Sequence, residues 1–288
     1  MSLQLRDVKQ HILGARQIRH VTAALQKIAA AQLQQIRRDI DASNRYVREL
    51  KALLVWCRGQ MTDPSQPLSR VEGTEGKPLL VVFGADRGLC GGFNSELVRE
   101  ARRYVQGEPE AALLVVGKAV GHRARLANLP VEEVYMQPRR RQREQALSPL
   151  IERISQRFLD GAYRRIDMLY QYFESAFAQS PVVATLLPVT SPGAGAATLP
   201  DETVPAGVLV DPRPADVLEW VLPEWVRRAW MNAFLNSLGS ESAARQTAMT
   251  RAQDNAESII DELGVQYRRL RQESITTEML ELSGGHTG

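Results

Sequence analysis

The sequence predicts an α/β protein, with a mainly parallel sheet bracketed by two long helices that pair as an antiparallel coiled coil. Three observations predict it. The first 58 residues contain no proline and one glycine, Gly14, between Leu3 and Arg58. The last stretch is proline-free after Pro223. Between them, short apolar runs ended by glycine alternate with helical patterns, which is the signature of strands joined by crossover helices.

The N-terminal segment, 1–58, spans roughly 80 Å if helical at 1.5 Å per residue, too long to be buried in one small core. Its apolar residues recur at steps of three and four: Leu5, Val8, Ile12 and Ala15, then Ile18, Val21, Leu25 and Ile28. Leu33, Ile36 and Ile40 follow, then Val47, Leu50 and Leu54. This is a coiled-coil seam, with expected slips of register after Ala15 and near Ala30. The C-terminal segment, 214–283, carries a smaller stripe through Phe234, Leu238, Ala244, Ala248, Ala252, Ala256, Ile259, Leu263, Tyr267 and Leu270. A narrow stripe needs a partner helix, and the economical one is the other terminus. Charge agrees: Leu3–Leu50 holds nine basic and four acidic residues, and Glu241–Glu281 five basic and eight acidic.

The middle, 77–211, changes period. Leu79–Phe83, ended by Gly84, and Ala112–Val116, ended by Gly117, read as buried strands of a parallel sheet. Ile166–Tyr172 and Pro181–Val189 read as further strands. Asn94 or Ser95 is placed to cap a helix through Tyr104, and Ser148 one through Leu159. The alternation gives a Rossmann-like domain with helices on both faces. The stretches 59–78 and 190–205 read as linkers.

Composition excludes several classes. Hydrophobic residues at 44% and charged residues at 24% describe a globular chain, not a disordered one. Two cysteines, Cys57 and Cys90, exclude a disulfide scaffold, and four scattered histidines offer no metal-ligand spacing. No apolar run reaches the length of a membrane span and the N-terminus lacks a signal core, so a soluble, cytoplasmic protein is the simplest expectation. A net charge of +3 names no nucleic-acid partner. The basic run Arg139-Arg140-Arg141-Gln142-Arg143, without interleaved aromatics, reads as a solvated connector between Pro138 and Pro149.

The densest motif is Asp86-Arg87-Gly88-Leu89-Cys90-Gly91-Gly92-Phe93-Asn94, between a strand and a helix. A phosphate cradle is one reading. It matches neither G-x-G-x-x-G nor a P-loop, so a structural turn shaped by Gly88, Gly91 and Gly92 is favoured. Cys90 lacks an adjacent base for nucleophilic chemistry: His11 and His20 lie on the first helix, His286 near the end, and nothing places His122 beside it.

These residues resemble one family, the gamma subunit of rotary F-type ATP synthases. Val21-Thr22-Ala23-Ala24-Leu25 followed by Ile28-Ala29-Ala30 is similar to the family's Ile-Thr-Lys-Ala-Met-x-x-Val-Ala-Ala stretch. The Asp86–Asn94 motif is the family's central signature almost unchanged. Ser240-Glu241, Ala244-Arg245, Ala248-Met249, Ala252 and Asn255-Ala256 resemble its C-terminal signature, and Arg271-Gln272, Ile275-Thr276, Glu278 and Gly284-Gly285 its ending. Departures point to a divergent paralogue: Ala23 and Leu25 replace lysine and methionine, Gln32 and Gln34 replace basic residues, and Val208 and Val210 stand where many members carry aromatics.

The resemblance implies a central-stalk rotor subunit that couples ion flow to ATP synthesis or hydrolysis. The helix pair would sit inside a hexamer of alpha and beta subunits, and the α/β domain would bind the epsilon subunit and the membrane ring of c subunits. It implies no catalytic residue and no cofactor in this chain, and a place on the cytoplasmic face of the bacterial plasma membrane. Arg271, Gln272 and Thr276 are the candidate contacts with the catalytic subunits, and Asp211 the candidate contact with the ring. The alternatives are a coiled-coil adaptor without a rotary role and an α/β enzyme using the Asp86–Asn94 loop.

Overall fold

The computed structural model describes residues 3–59, 67–69, 76–189 and 213–284. Ten principal elements follow in order: α1 (Leu3–Gly59), β1 (Lys77–Phe83), α2 (Phe93–Gly107), β2 (Ala112–Val116) and α3 (Lys118–Leu126). Then come β3 (Val131–Tyr135), α4 (Arg143–Leu159), β4 (Tyr163–Phe173), β5 (Gln179–Leu187) and α5 (Pro214–Gly284). Contacts divide the chain into two units: one of residues 1–31 with 245–288, and one of residues 32–244. The division falls within α1 and α5, not between the helices and the sheet.

The larger unit holds a five-stranded sheet in the order β3-β2-β1-β4-β5. β1 pairs in parallel with β2 (Val81 opposite Leu114) and β4 (Val81 opposite Met168), whereas β5 runs antiparallel to β4. β2 is wholly apolar and β1 is apolar from Pro78 onward, as strands covered on both faces require. Leu79, Val81 and Phe83 point to a core shared with α4, the end of α1 and the start of α5, where Trp225, Trp230 and Phe234 are fully enclosed. Leu80 and Val82 point the other way, to α2 and α3. Helices thus cover both faces, as the alternation predicts.

The α3–β3 pair is absent from the sequence reading. Val131-Glu132-Glu133-Val134-Tyr135 is a part-exposed edge strand, so it lacks the continuous apolar run that marks β1 and β2. α4 also starts five residues before Ser148, so Ser148 is not its cap. Pro149 lies inside the helix, where it has no N–H to offer the Gln145 carbonyl.

The basic run is not a free connector. Arg140 donates to both carboxylate oxygens of Asp39 on α1 at 3.2 and 3.0 Å, and Arg143 donates to the same group at 3.2 Å. In this unit α1 and α5 run side by side: Asn232 donates to Ser43 Oγ and Asn44 Oδ1, and Leu33, Ile36 and Ile40 share a core with Leu235 and Ala243. Gly239 permits the approach, since a Cβ there would stand 2.6 Å from Ile40 Cδ1.

In the smaller unit the outer parts of α1 and α5 also pair antiparallel, with Arg19 bonded to Glu257 at 3.2 Å. The α1 seam departs from expectation. Among its covered or half-covered residues are 5, 8, 12, 15, 19, 22, 26 and 29 in the smaller unit, and in the larger unit 33, 36, 40, 43, 47, 50, 54 and 57. Within each unit these positions alternate in steps of three and four, so the slip expected after Ala15 is absent. Arg19, Thr22 and Gln26 occupy seam positions, whereas Ile18, Val21 and Ile28 are exposed. On α5, Ile260 takes the seam in place of Ile259, which is exposed.

Candidate functional site

β1 lies between β2 and β4, so its carboxyl end is the point where the chain's crossovers diverge, the place where open α/β sheets bind ligands. The Asp86–Asn94 motif follows directly. Its backbone is special at two residues: Gly91 has φ +57° and Leu89, a non-glycine, has φ +62°. Gly91 therefore has a conformational reason to be glycine. Gly92 is in the right-handed helical region and a Cβ on Gly88 would meet nothing within 4 Å, so neither shares that reason.

Asn94 does not cap α2. It sits within the first turn, fully buried, where its Oδ1 accepts the Ala85 N–H at 3.1 Å and its Nδ2 donates to Cys90 Sγ at 3.5 Å. Ser95 is no cap either, because its hydroxyl accepts from Arg123 on α3 at 2.7 Å. Asp86 accepts the N–H groups of Lys118 and Gln137, tying the loops after β1, β2 and β3 together. Arg87 and Leu89 remain exposed.

The crevice above this crest is filled by the chain itself. Ser237 on α5 donates to the Phe83 carbonyl at the end of β1 at 2.6 Å, and Ser240 to the Gln171 carbonyl near the end of β4 at 3.1 Å. Asn236 accepts the Phe173 N–H at 3.4 Å. The Gln137 side chain bridges the Gly84 carbonyl at 2.8 Å and the buried Glu241 carboxylate at 2.7 Å. At the head of α2, Glu96 places a carboxylate where a phosphate would need a positive field, and it accepts from Gln171 at 2.9 Å. Strand-end carbonyls that a nucleotide-binding fold leaves open are here bonded to helix side chains.

Two glycines beside the crest are packed as closely as any among the described residues. A Cβ on Gly84 would meet Val120 Cγ1 at 2.3 Å, and one on Gly117 would meet the Gly84 carbonyl oxygen at 2.3 Å. Sequence reading used both as strand terminators and missed this role. It also missed Gln137, Asn236, Ser237 and Glu241 as a joint. The available signal was the polar residues Asn236, Ser237, Ser240, Glu241 and Ser242 clustered around Leu238 and Gly239 on one helix.

Arg271, Gln272 and Thr276 are exposed on α5. The Thr276 hydroxyl donates to the Gln272 carbonyl at 2.9 Å, as their spacing of four allows, and Leu263 and Leu270 are half-buried on the seam. Asp211, with Val208 and Val210, lies outside the described residues. No described helix is long and apolar enough to cross a membrane.

Comparisons with known proteins agree with the motifs. The ATP synthase family model matches residues 4–287. An ATP synthase gamma chain from Erythrobacter litoralis is 32% identical over 98% of both chains. One from Desulforudis audaxviator is 30% identical over 98% of this chain and 97% of its own. In fold, the chain is similar to a chain in the Euglena gracilis mitochondrial ATP synthase OSCP/F1/c-ring structure in rotational state 3. That likeness has a TM-score of 0.68 and 19% identity, over 99% of this chain and 94% of that one. A rotor structure from the same organism gives a TM-score of 0.63 at 18% identity, over 94% and 99%. With the family model spanning nearly every residue, the chain belongs to the ATP synthase gamma-chain family.

Proposed function

We propose that this chain is the central-stalk rotor subunit of a membrane-bound rotary ATP synthase, turning within the alpha/beta hexamer and coupling ion flow to ATP synthesis or hydrolysis. The observation that carries the reading is the family match over residues 4–287 on a chain whose two ends pair as antiparallel helices. Its partners are the alpha and beta subunits, the epsilon subunit and the membrane ring of c subunits. The working division is helix 1–58, α/β domain 77–211 and helix 214–283.

The geometry suits torque transfer within residues 32–244. A twist applied to the α/β domain reaches α1 through Asp39 with Arg140 and Arg143. It reaches α5 through Ser237, Ser240 and Glu241, and Asn232 links the two helices. The turning helix pair then presents different contacts to each catalytic site, which shifts each site among its nucleotide affinities.

The chain itself performs no chemistry in this reading. The crest where a doubly wound enzyme would bind nucleotide is occupied by α5, and the Asp86, Arg87, Gly88, Gly91, Gly92 and Asn94 turn is a structural joint. Arg271, Gln272 and Thr276 contact the catalytic subunits, and Asp211 the ring. The protein lies peripherally on the cytoplasmic face of a bacterial plasma membrane.

The test is purification from native membranes. Co-elution with alpha and beta subunits in an ATP-hydrolysing complex is the expected result. A protein that elutes alone and binds nucleotide or turns over substrate supports the enzyme reading, and one that elutes alone without either supports the adaptor.

A further inference from the structure

We propose that Asn232 and Asn236 are positioning residues of the rotor: they form a register lock that adds no net stability and holds α5 against sliding between α1 and β4 when load passes through the α/β domain. This rests on the rotor reading above and deepens it by naming the side chains that fix the helix to the sheet.

The two asparagines lie in an apolar setting. On α1 the seam at this level runs Ile36, Ile40, Ser43, Val47, Leu50 and Leu54, and Ser43 is its one polar member. On α5 the neighbours Ala229, Trp230, Ala233, Phe234 and Leu235 are all buried. Asn232 and Asn236 are buried among them, at 8% and 0% exposure. Their hydrogen bonds form one continuous ladder. Asn232 Nδ2 donates to Ser43 Oγ at 3.1 Å and to Asn44 Oδ1 at 2.7 Å. One turn on, Asn236 Nδ2 donates to Asn232 Oδ1 at 3.1 Å and to the Asn232 carbonyl at 2.9 Å. Asn236 Oδ1 accepts the Phe173 N–H, at the end of β4, at 3.4 Å. An i, i+4 pair on α5 therefore joins α1 on one side to the sheet on the other.

Apolar contacts are non-directional and tolerate a small slide, whereas a hydrogen bond weakens steeply off its axis. The same stretch of α5 excludes a slide by one full turn. In one direction Arg228 takes the place of Asn232, and Leu235 that of Gly239, where even a Cβ would stand 2.6 Å from Ile40 Cδ1. In the other direction Ser240 takes the place of Asn236, with a hydroxyl one bond shorter than the amide. Glu241 then takes the place of Ser237, whose hydroxyl donates to the Phe83 carbonyl at 2.6 Å, so that a carboxylate would face a carbonyl. One register satisfies all of these positions.

Stability alone does not call for the amides. Leucine has the outline of asparagine and would extend the core around position 232. Exchanging buried polar partners for apolar groups of like shape is close to neutral, and a buried asparagine in a helix seam fixes register at a cost in stability. Position, not stability, accounts for the ladder.

The experiment uses the purified complex, after co-elution with alpha and beta subunits has verified assembly, with a probe attached to the α/β domain at the exposed Glu110. The angular fluctuation of the probe is read while the complex is stalled without ATP. Asn232→Leu cuts the tie to α1, while Asn236 keeps its bonds to the residue 232 carbonyl and to Phe173. The proposal expects a several-fold larger angular variance, fewer ions moved per ATP hydrolysed, and a thermal midpoint of the purified chain at or above the parent's. Asn44→Leu should behave in the same way, whereas Asn44→Asp, which keeps the acceptor that Asn232 uses, should match the parent. Unchanged fluctuation in both leucine variants, or the same broadening in Asn44→Asp, overturns the lock and leaves the rotor reading standing. So does a lowered midpoint or lost assembly in Asn232→Leu, which makes the ladder a plain stabiliser. Failure of the parent chain to co-elute with the hexamer overturns both.

Discussion

At the scale of single residues, the crest is held by fits that differ in stringency between neighbouring glycines. Gly84→Ala forces a Cβ against Val120 Cγ1 at 2.3 Å, and valine is stiff at χ1. The expected cost is about 1–3 kcal/mol, as for other overpacked sites. Gly88→Ala meets nothing within 4 Å and should stay within about 0.5 kcal/mol of the parent. Thermal unfolding of the two purified variants checks the difference, and equal midpoints would contradict the packing account. A second residue-scale expectation concerns Arg271, Gln272 and Thr276. Replacing all three with alanine removes a guanidinium fork and two hydrogen-bonding groups, at roughly 0.5–3 kcal/mol per bond formed to a partner. ATPase turnover in the assembled complex should fall with complex integrity retained. Unchanged turnover and ion transport would remove these residues from the mechanism.

At the scale of elements, Asp39 is the tie to examine. Arg143 is largely covered, so Asp39→Ala strips a partner from a shielded guanidinium and should destabilise by about 1–3 kcal/mol. Arg140 is more than half exposed, and Arg140→Ala should do little. A destabilisation of similar size in both would contradict this division. β3 and α4 are joined by Glu133, Arg153 and Tyr135, and the Arg153 hydrogen bonds, then that of Tyr135, hold the Glu133 carboxyl below its usual range. A folded-state pKa below the unfolded one means the pair stabilises above the ordinary carboxylate value and is lost as pH falls through the folded value. Acid unfolding should therefore lose stability less steeply below about pH 4 in Glu133→Gln than in the parent. Identical slopes would count against the pair.

The elements also show what a sequence makes legible. Strands β1 and β2 and helix α2 announce themselves, because an unbroken apolar run followed by glycine has few other readings. The α1 helix is equally plain, but its seam is not. Ile18, Val21 and Ile28 draw the apolar period onto a face that the helix pair leaves open, while Arg19 and Thr22 hold the true seam. The seam residues of a helix pair need not be its most apolar ones, and here polar side chains hold part of it. The edge strand β3 escapes for a similar reason, since Glu132 and Glu133 belong to ion pairs with Lys77 and Arg153 and leave little apolar pattern. The candidate site was half legible. The Asp86–Asn94 motif stood out, but its partners Gln137, Ser237, Ser240 and Glu241 come from distant segments that only the fold brings together.

At the scale of the whole molecule, the central claim is that this chain rotates, and that its turning is coupled to nucleotide turnover elsewhere. The family match, the antiparallel helix pair and the α5 residues seated on the sheet's crest point the same way. The most direct measurement attaches a bead or rod to the α/β domain, at an exposed site such as Glu110, in a surface-held complex with alpha and beta subunits. On adding ATP, the account predicts rotation in one direction with three equally spaced pauses per turn, slowing as ATP is diluted. ATP hydrolysis at a normal rate with the probe stationary, or wandering without direction, would contradict it.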